Sequence, residues 1–181
     1  DPAREAELAA DIAELDALID EILTASRLDA GAGLESSEDV DLLALAAEEC
    51  ARYDECQLDG ESAPVRGDAR LLRRMVRNLL ENARRHGAPP VEVEVRRAPG
   101  VDSIGIEVRD HGRGVPVAER ERIFAPFHRL PGSNATGAGL GLSLVREIAR
   151  RHGGDARCVD APGCGTCIRV TLPAARASRA S

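Results

Sequence analysis

Asn78-Leu79-Leu80-Glu81-Asn82, continued by Ala83-Arg84-Arg85-His86, is the stretch that decides how this chain is read. Asn78, Glu81, Asn82 and Arg85 stand three and four residues apart, so they share one face of a helix. Leu71, Leu72, Met75, Val76, Leu79 and Leu80 supply the apolar side that such a helix buries. Gly67-Asp68 offers a cap, and a helix is predicted from Ala69 to His86. A solvated surface would account for a polar face. Asparagines a turn apart, however, are poor helix formers and need another reason. Their amide oxygens are neutral, hard ligands suited to Mg2+, which keeps several waters and bridges phosphates.

Working outward, Asp110-His111-Gly112-Arg113-Gly114 closes a predicted strand. A carboxylate there can accept a hydrogen bond from an adenine amino group, and glycines let backbone approach a base closely. Asp-x-Gly-x-Gly is common in turns and weak alone. Its place 28 residues after Asn82 and 27 before Gly137 strengthens it. Gly137-Ala138-Gly139-Leu140-Gly141-Leu142 opens a further helix, whose unpaired N-terminal N–H groups can cradle phosphate. A flexible hinge is a compatible reading, and Leu142 breaks the dinucleotide pattern Gly-x-Gly-x-x-Gly. Between the glycine boxes lies Phe124-Ala125-Pro126-Phe127. Both phenylalanines are expected outside the core, as anchors of a lid from Val115 to Thr136 that orders on nucleotide binding. Arg129 is placed to meet a γ-phosphate, with Arg122 the weaker candidate.

In this order and spacing the four stretches resemble the catalytic ATP-binding domain of bacterial sensor histidine kinases, within the gyrase, Hsp90, histidine kinase and MutL ATPase group. The resemblance covers roughly residues 39 to 173. It implies ATP and Mg2+ as ligands, with Asn82 on the metal and Asn78 near the phosphates. Glu81 matches the acidic residue that polarises the nucleophile or the metal's water, and Arg85 a phosphate-contacting cation. His86 falls where an aromatic packs near the nucleotide, although a cation at the helix C-terminus explains it equally well. Gly165-Thr166 resembles the last motif, with the Thr166 hydroxyl near adenine or its bound water. The implied catalytic set is Glu81, Asn82 and Arg129. The implied ATP-binding set is Asn78, Asn82, Arg85, His86, Asp110, Gly112, Gly114, Phe127, Gly137, Gly139, Leu140, Gly141, Leu142 and Thr166.

The same resemblance implies transfer of the γ-phosphoryl group to a histidine on a dimerisation domain, for relay to a response regulator receiver domain. The parent would be a homodimer, placed in the cytoplasm or as the cytoplasmic portion of an inner-membrane sensor. His86, His111, His128 and His152 all lack the acceptor motif of His, acidic residue and Arg, so the acceptor is expected elsewhere. The start at Asp1-Pro2 suggests an excised piece. An anti-sigma-type serine kinase is one alternative, against which the N-terminal helix speaks. A nucleotide-gated interaction module without catalysis is another, disfavoured because every core motif position is filled.

Composition narrows the classes further. All basic residues are arginine, and lysine is absent. A P-loop, a eukaryotic-type protein kinase and Schiff-base chemistry each need a lysine, so ATP chemistry here must be lysine-free. A net charge of −7, with two Phe, one Tyr and no Trp, argues against nucleic acid as a partner. No apolar run approaches a membrane span.

Residues 1–30 read as one acidic helix with a seam at Leu8, Ile12, Leu15, Ile19 and Ile22, resembling the end of a dimerisation helical hairpin. A linker at 31–38 offers Ser36, Ser37 and Asp39 as caps. Residues 39–173 form the catalytic domain, and 174–181 a disordered tail. Within the domain, helices are expected at Val40–Glu55, Ala69–His86 and Leu140–His152. Strands are expected at Gln57–Glu61, Val91–Arg97, Ser103–Arg109, Asp155–Val159 and Thr166–Leu172. These make a mixed sheet with helices on one face, a two-layer α/β sandwich of the Bergerat type. Cys164-x-x-Cys167 is a weak metal or redox match. A hairpin at Pro162-Gly163 would set Cys158 opposite Cys167 and gather three thiols, though small buried hydrophobes explain the five cysteines better.

Overall fold

The computed structural model describes residues 4, 5, 8, 12, 19, 36–98, 101–130, 139–161, 163 and 165–175. Arg4, Glu5, Leu8, Ile12 and Ile19 are helical and exposed. The remainder of the helix expected over 1–30 and the linker up to residue 35 lie outside the described residues.

Among the described residues from 36 onward there are seven strands and three α-helices. They are β1 (Glu38–Asp41), α1 (Leu42–Cys50), β2 (Cys56–Gly60), β3 (Pro64–Gly67), α2 (Ala69–His86), β4 (Val91–Arg97), β5 (Ser103–Arg109), α3 (Gly141–Arg151), β6 (Asp155–Val159) and β7 (Cys167–Pro173). The main sheet runs β2-β4-β5-β7-β6, with β2 parallel to β4 and the other pairs antiparallel. Val91, Val93 and Val95 of β4, Ile104, Ile106 and Val108 of β5, and Ile168, Val170 and Leu172 of β7 are buried at alternate positions. They meet Leu72, Met75, Val76, Leu79, Leu80 and Ala83 of α2 in one core. Each such side chain contributes about 1.5–3 kcal/mol by leaving water.

Two elements differ from the sequence reading. Glu38–Asp41 is a strand, pairing antiparallel with Pro64–Gly67 in a separate two-stranded ribbon. The following helix is therefore shorter than Val40–Glu55, and its cap is Asp41 rather than Ser36, Ser37 or Asp39. Asp41 Oδ1 accepts from the N–H groups of Leu43 at 3.0 Å and Ala63 at 3.2 Å. Short ribbons leave little local periodicity because their pairing is wholly between distant residues. At the other end, Ala174 bridges Val65 and the Ala175 N–H donates to the Pro64 carbonyl at 2.8 Å. Ordered pairing thus runs two residues beyond the expected end at Pro173.

Two buried polar contacts orient the helices. Glu49 of α1, 1% exposed, receives Arg77 Nε at 3.0 Å and Arg73 Nη1 at 3.3 Å, both from α2. His152, just after α3, accepts the Asp68 N–H through Nε2 at 3.1 Å, while its Nδ1 lies 2.7 Å from the Ile148 carbonyl. Asp68 caps α2 through Oδ1, which accepts from the Arg70 and Leu71 N–H groups. The start of α2 is therefore tied to the end of α3.

Candidate nucleotide-binding site

Asp110 immediately follows β5 and is 2% exposed. Its Oδ1 accepts the N–H groups of Gly112 at 2.8 Å and Thr166 at 3.2 Å. Its backbone N–H donates to the Thr166 carbonyl at 2.9 Å, and that of His111 to the Ala88 carbonyl at 2.9 Å. Oδ2 accepts no hydrogen bond from the described residues, so half of a buried carboxylate is left for a ligand. Glycines wall this carboxylate. A Cβ on Gly87 would fall 2.2 Å from Asp110 Cγ, and one on Gly165 would fall 1.8 Å from the Asp110 carbonyl oxygen. Gly114, at φ +75°, closes on the Gly165 carbonyl.

Asp110, Gly112, Gly114 and Thr166 are thus brought together. Gly87 is not singled out by any motif in the sequence. Its close approach to Asp110 depends on a loop 23 residues further on, which no local signal encodes.

The polar face of α2 runs away from this corner. Asn78, 6% exposed, donates Nδ2 to the Gly141 carbonyl at 3.4 Å, joining α2 to the start of α3. Asn82 is half-buried, and its amide makes no hydrogen bond with the described residues. Glu81 is half-buried and Arg85 exposed on the same face. From Asn78 to Gly87 the helix advances about 13 Å, comparable with an extended nucleoside triphosphate. At α3 the cap position, Leu140, offers no side-chain hydrogen bond to the first N–H groups. Nothing lies within 4 Å of where a Gly141 Cβ would stand. Leu140 is buried and Leu142 half-buried, so the open donors sit on an anchored turn.

Cations converge on His86. Partial desolvation, then the charges of Arg85, Arg129 and Arg113, hold its imidazole below the ordinary histidine value, against the opposing pull of Asp110. Desolvation and the neighbouring arginines both disfavour the protonated ring, which weighs against the reading of a cation at the helix C-terminus. Arg129 and Arg113 come from separate loops, and only the fold brings their charges to bear on His86. Arg122 instead pairs with Glu119 at 2.9 Å.

The lid expectation needs correcting over its described part. Residues 115–130 form two 3-10 turns, Val117–Glu119 and Arg122–Phe124. Ile123 and Phe124 are buried in the core, and Arg146 of α3 stacks 5.1 Å over the Phe124 ring. Phe124 is thus a core residue, because two 3-10 turns reverse the chain inward there. Phe127 does stay outside, 68% exposed, at φ +62°. Its N–H donates to the Gly139 carbonyl at 3.0 Å. Gly139, at φ +73°, has no room for a side chain against Phe127 and His128. Gly137 lies outside the described residues.

The thiol cluster is also corrected. Cys158 pairs with Ile168, and Val159 with Cys167, one residue out of the expected register. Cys158 and Cys167 therefore point to opposite faces of the sheet.

A family model for histidine kinase-, DNA gyrase B- and HSP90-like ATPases matches residues 67–176. The sensor histidine kinase MtrB of Mycolicibacterium paratuberculosis is 34% identical over 89% of this chain and 31% of its own length. The sensor protein KdpD of Rathayibacter rathayi is 36% identical over 91% of this chain and 20% of its own. The ATP-binding domain of PrrB from Mycobacterium tuberculosis superposes with a TM-score of 0.62 at 29% identity, covering 78% of this chain and 99% of that one. The chain belongs to this ATPase family, as an ATP-binding catalytic domain of the sensor histidine kinase kind. It spans a third or less of the length of these curated relatives. No helix among the described residues is long and apolar enough to cross a membrane.

Proposed function

We propose that the domain binds Mg-ATP across the polar face of α2 and presents its γ-phosphoryl group to a histidine on a dimerisation element. The observation that carries this reading is the half-satisfied Asp110 carboxylate, enclosed by glycines and set along one helix from the Asn78–Gly141 contact. Asp110 Oδ2 would accept the adenine amino group, with the Thr166 hydroxyl alongside. His86 would pack near the nucleotide. The open N–H groups at Gly139 to Leu142 would take phosphate oxygens, assisted by Arg85 and Arg129.

The unpaired Asn82 amide fits Mg2+, and among the described residues no group of three or more His, Cys, Asp or Glu offers a competing cage. Mg2+ held by Asn82 and by phosphate oxygens would neutralise charge on the triphosphate. Glu81 would polarise the attacking imidazole. The bond from the γ-phosphorus to the oxygen of ADP breaks as a bond to the imidazole nitrogen forms, and ADP leaves. Positioning and electrostatics supply the rate. The phosphoryl group would pass on to a response regulator receiver domain, in a cytoplasmic homodimeric parent.

Labelled ATP offered with a separate dimerisation-domain substrate tests the reading. Label on histidine is the expected result. Label on serine would favour the anti-sigma-type alternative, and tight ATP binding without transfer a non-catalytic module. Asn82→Ala should abolish Mg2+-dependent transfer, and unchanged activity in that variant would refute the metal assignment.

A further inference from the structure

Glu81 stands at the boundary between two stripes of α2. At about 100° per residue it lies about 60° round the helix from Asn78 on one side and about 60° from Arg84 on the other. Arg77, four residues earlier, falls beside Arg84. Residues three and four apart on a helix are surface neighbours, and a carboxylate between two such arginines is placed to pair with either. Here it does not. Glu81 is half-buried and makes no hydrogen bond or ion pair with any described residue.

Both arginines are held elsewhere. Arg77 sets its guanidinium fork on the buried Glu49 carboxylate, Nε donating to Oε2 at 3.0 Å and Nη2 to Oε1 at 3.2 Å. The Arg84 guanidinium lies over the Tyr53 ring, 5.3 Å from its centre, where the ring's quadrupole attracts a cation. Tyr53 is fixed in turn: its N–H donates to the Cys50 carbonyl at 2.9 Å, and its side chain packs against the core. Arg85 lies on the far side of Glu81, next to His86, and belongs with the phosphate contacts in the reading above. The difference matters chemically. An ion-paired carboxylate is a weaker base with occupied lone pairs, whereas an unpaired one can accept an imidazole N–H.

We propose that Tyr53 is a positioning residue for phosphoryl transfer: its ring holds the Arg84 guanidinium off Glu81, as Glu49 holds Arg77, and so leaves the Glu81 carboxylate open to the attacking imidazole. The inference rests on the role given to Glu81 above. It adds a residue from the turn between α1 and β2, on no motif of the nucleotide site, that acts through Arg84 and touches neither ATP nor the acceptor. Without the ring, Arg84 swings onto Glu81 at the three-residue spacing. An exposed ion pair of this kind forms only in part, so the loss of rate is modest.

Two measurements on the 181-residue chain test this. The first is carbodiimide coupling of glycine ethyl ester to Glu81, followed by peptide mapping. The second is transfer from labelled ATP to a separate dimerisation-domain histidine substrate. In Tyr53→Leu, or Tyr53→Met if leucine unfolds the chain, Glu81 labelling and kcat should both fall about two- to fivefold, with KM for ATP unchanged. Tyr53→Phe keeps the ring face and should match the parent. Adding Arg84→Gln to Tyr53→Leu should restore both readouts, which a loss of packing alone would not allow. Equal Glu81 labelling in parent and Tyr53→Leu, an unchanged kcat in that variant, or a deficit that Arg84→Gln leaves in place would each overturn the proposal. A parent chain that transfers nothing to histidine would instead count against the functional reading, and the labelling would still decide whether Tyr53 keeps Arg84 from Glu81.

Discussion

At the scale of single residues, the site depends on side chains that are missing. Gly87 has no Cβ, and the Asp110 carboxyl occupies the space where one would be. Gly87→Ala must displace either the end of α2 or the Asp110 side chain, an overpacking cost of about 1–3 kcal/mol. The domain should fold while its affinity for a fluorescent ATP analogue falls about tenfold or more. Asp110→Ala removes a charge-assisted acceptor worth about 1.5–3 kcal/mol. Calorimetry should then show ATP binding weakened by about ten- to a hundredfold. Equal affinity in either variant would separate Asp110 from adenine. Asp110 itself was legible from the Asp-x-Gly-x-Gly box. Gly87 was not, because a glycine after a helix is explained locally and its tertiary contact leaves no further mark.

At the scale of elements, α2 is the beam on which everything is mounted. Its boundaries, Ala69 to His86, follow from the Asp68 cap and the apolar period, and the structure reproduces them. Its seating does not follow from period alone. Burial raises the Glu49 carboxyl, but the Arg77 and Arg73 hydrogen bonds and the Arg52 charge outweigh it, leaving Glu49 below the ordinary carboxylate value. A lowered folded-state value means that stability is present above the unfolded value and is lost as pH falls through the folded one. Glu49→Ala should cost about 2 kcal/mol at pH 7 by urea unfolding, since its arginine partners can partly rehydrate. The difference from the parent should shrink in acid. Phe124 shows the opposite limit of local reading: an aromatic in a Pro-containing loop reads as exposed, and two 3-10 turns bury it.

For the whole molecule, Asp155 is the tie between layers. It receives Arg146 at 3.0 Å and Arg150 at 3.4 Å from α3, and Arg157 at 3.3 Å within β6. Arg146 also reaches Glu121 in the turn-rich segment and stacks on Phe124. Burial raises Asp155, yet Arg146, the Ala156 N–H and Arg157 bring it down to about 2. Its contribution is therefore complete above the unfolded value near 4 and disappears as pH falls toward about 2. Asp155→Asn should lower stability by about 1 kcal/mol at neutral pH. Thermal melts of the two proteins should converge across that acid window, and a gap independent of pH would show that the charge is not what matters.

By itself the sequence determined the helix faces, the main strands and the order of the four motifs, because periodicity and glycine placement are properties of neighbouring residues. It also made lysine-dependent ATP chemistry impossible. Only the tertiary structure decided which distant residues meet: Gly87 on Asp110, Arg113 and Arg129 around His86, and β1 on β3. Those contacts join separate loops and elements, and their energy comes from excluding water between surfaces that no single segment possesses.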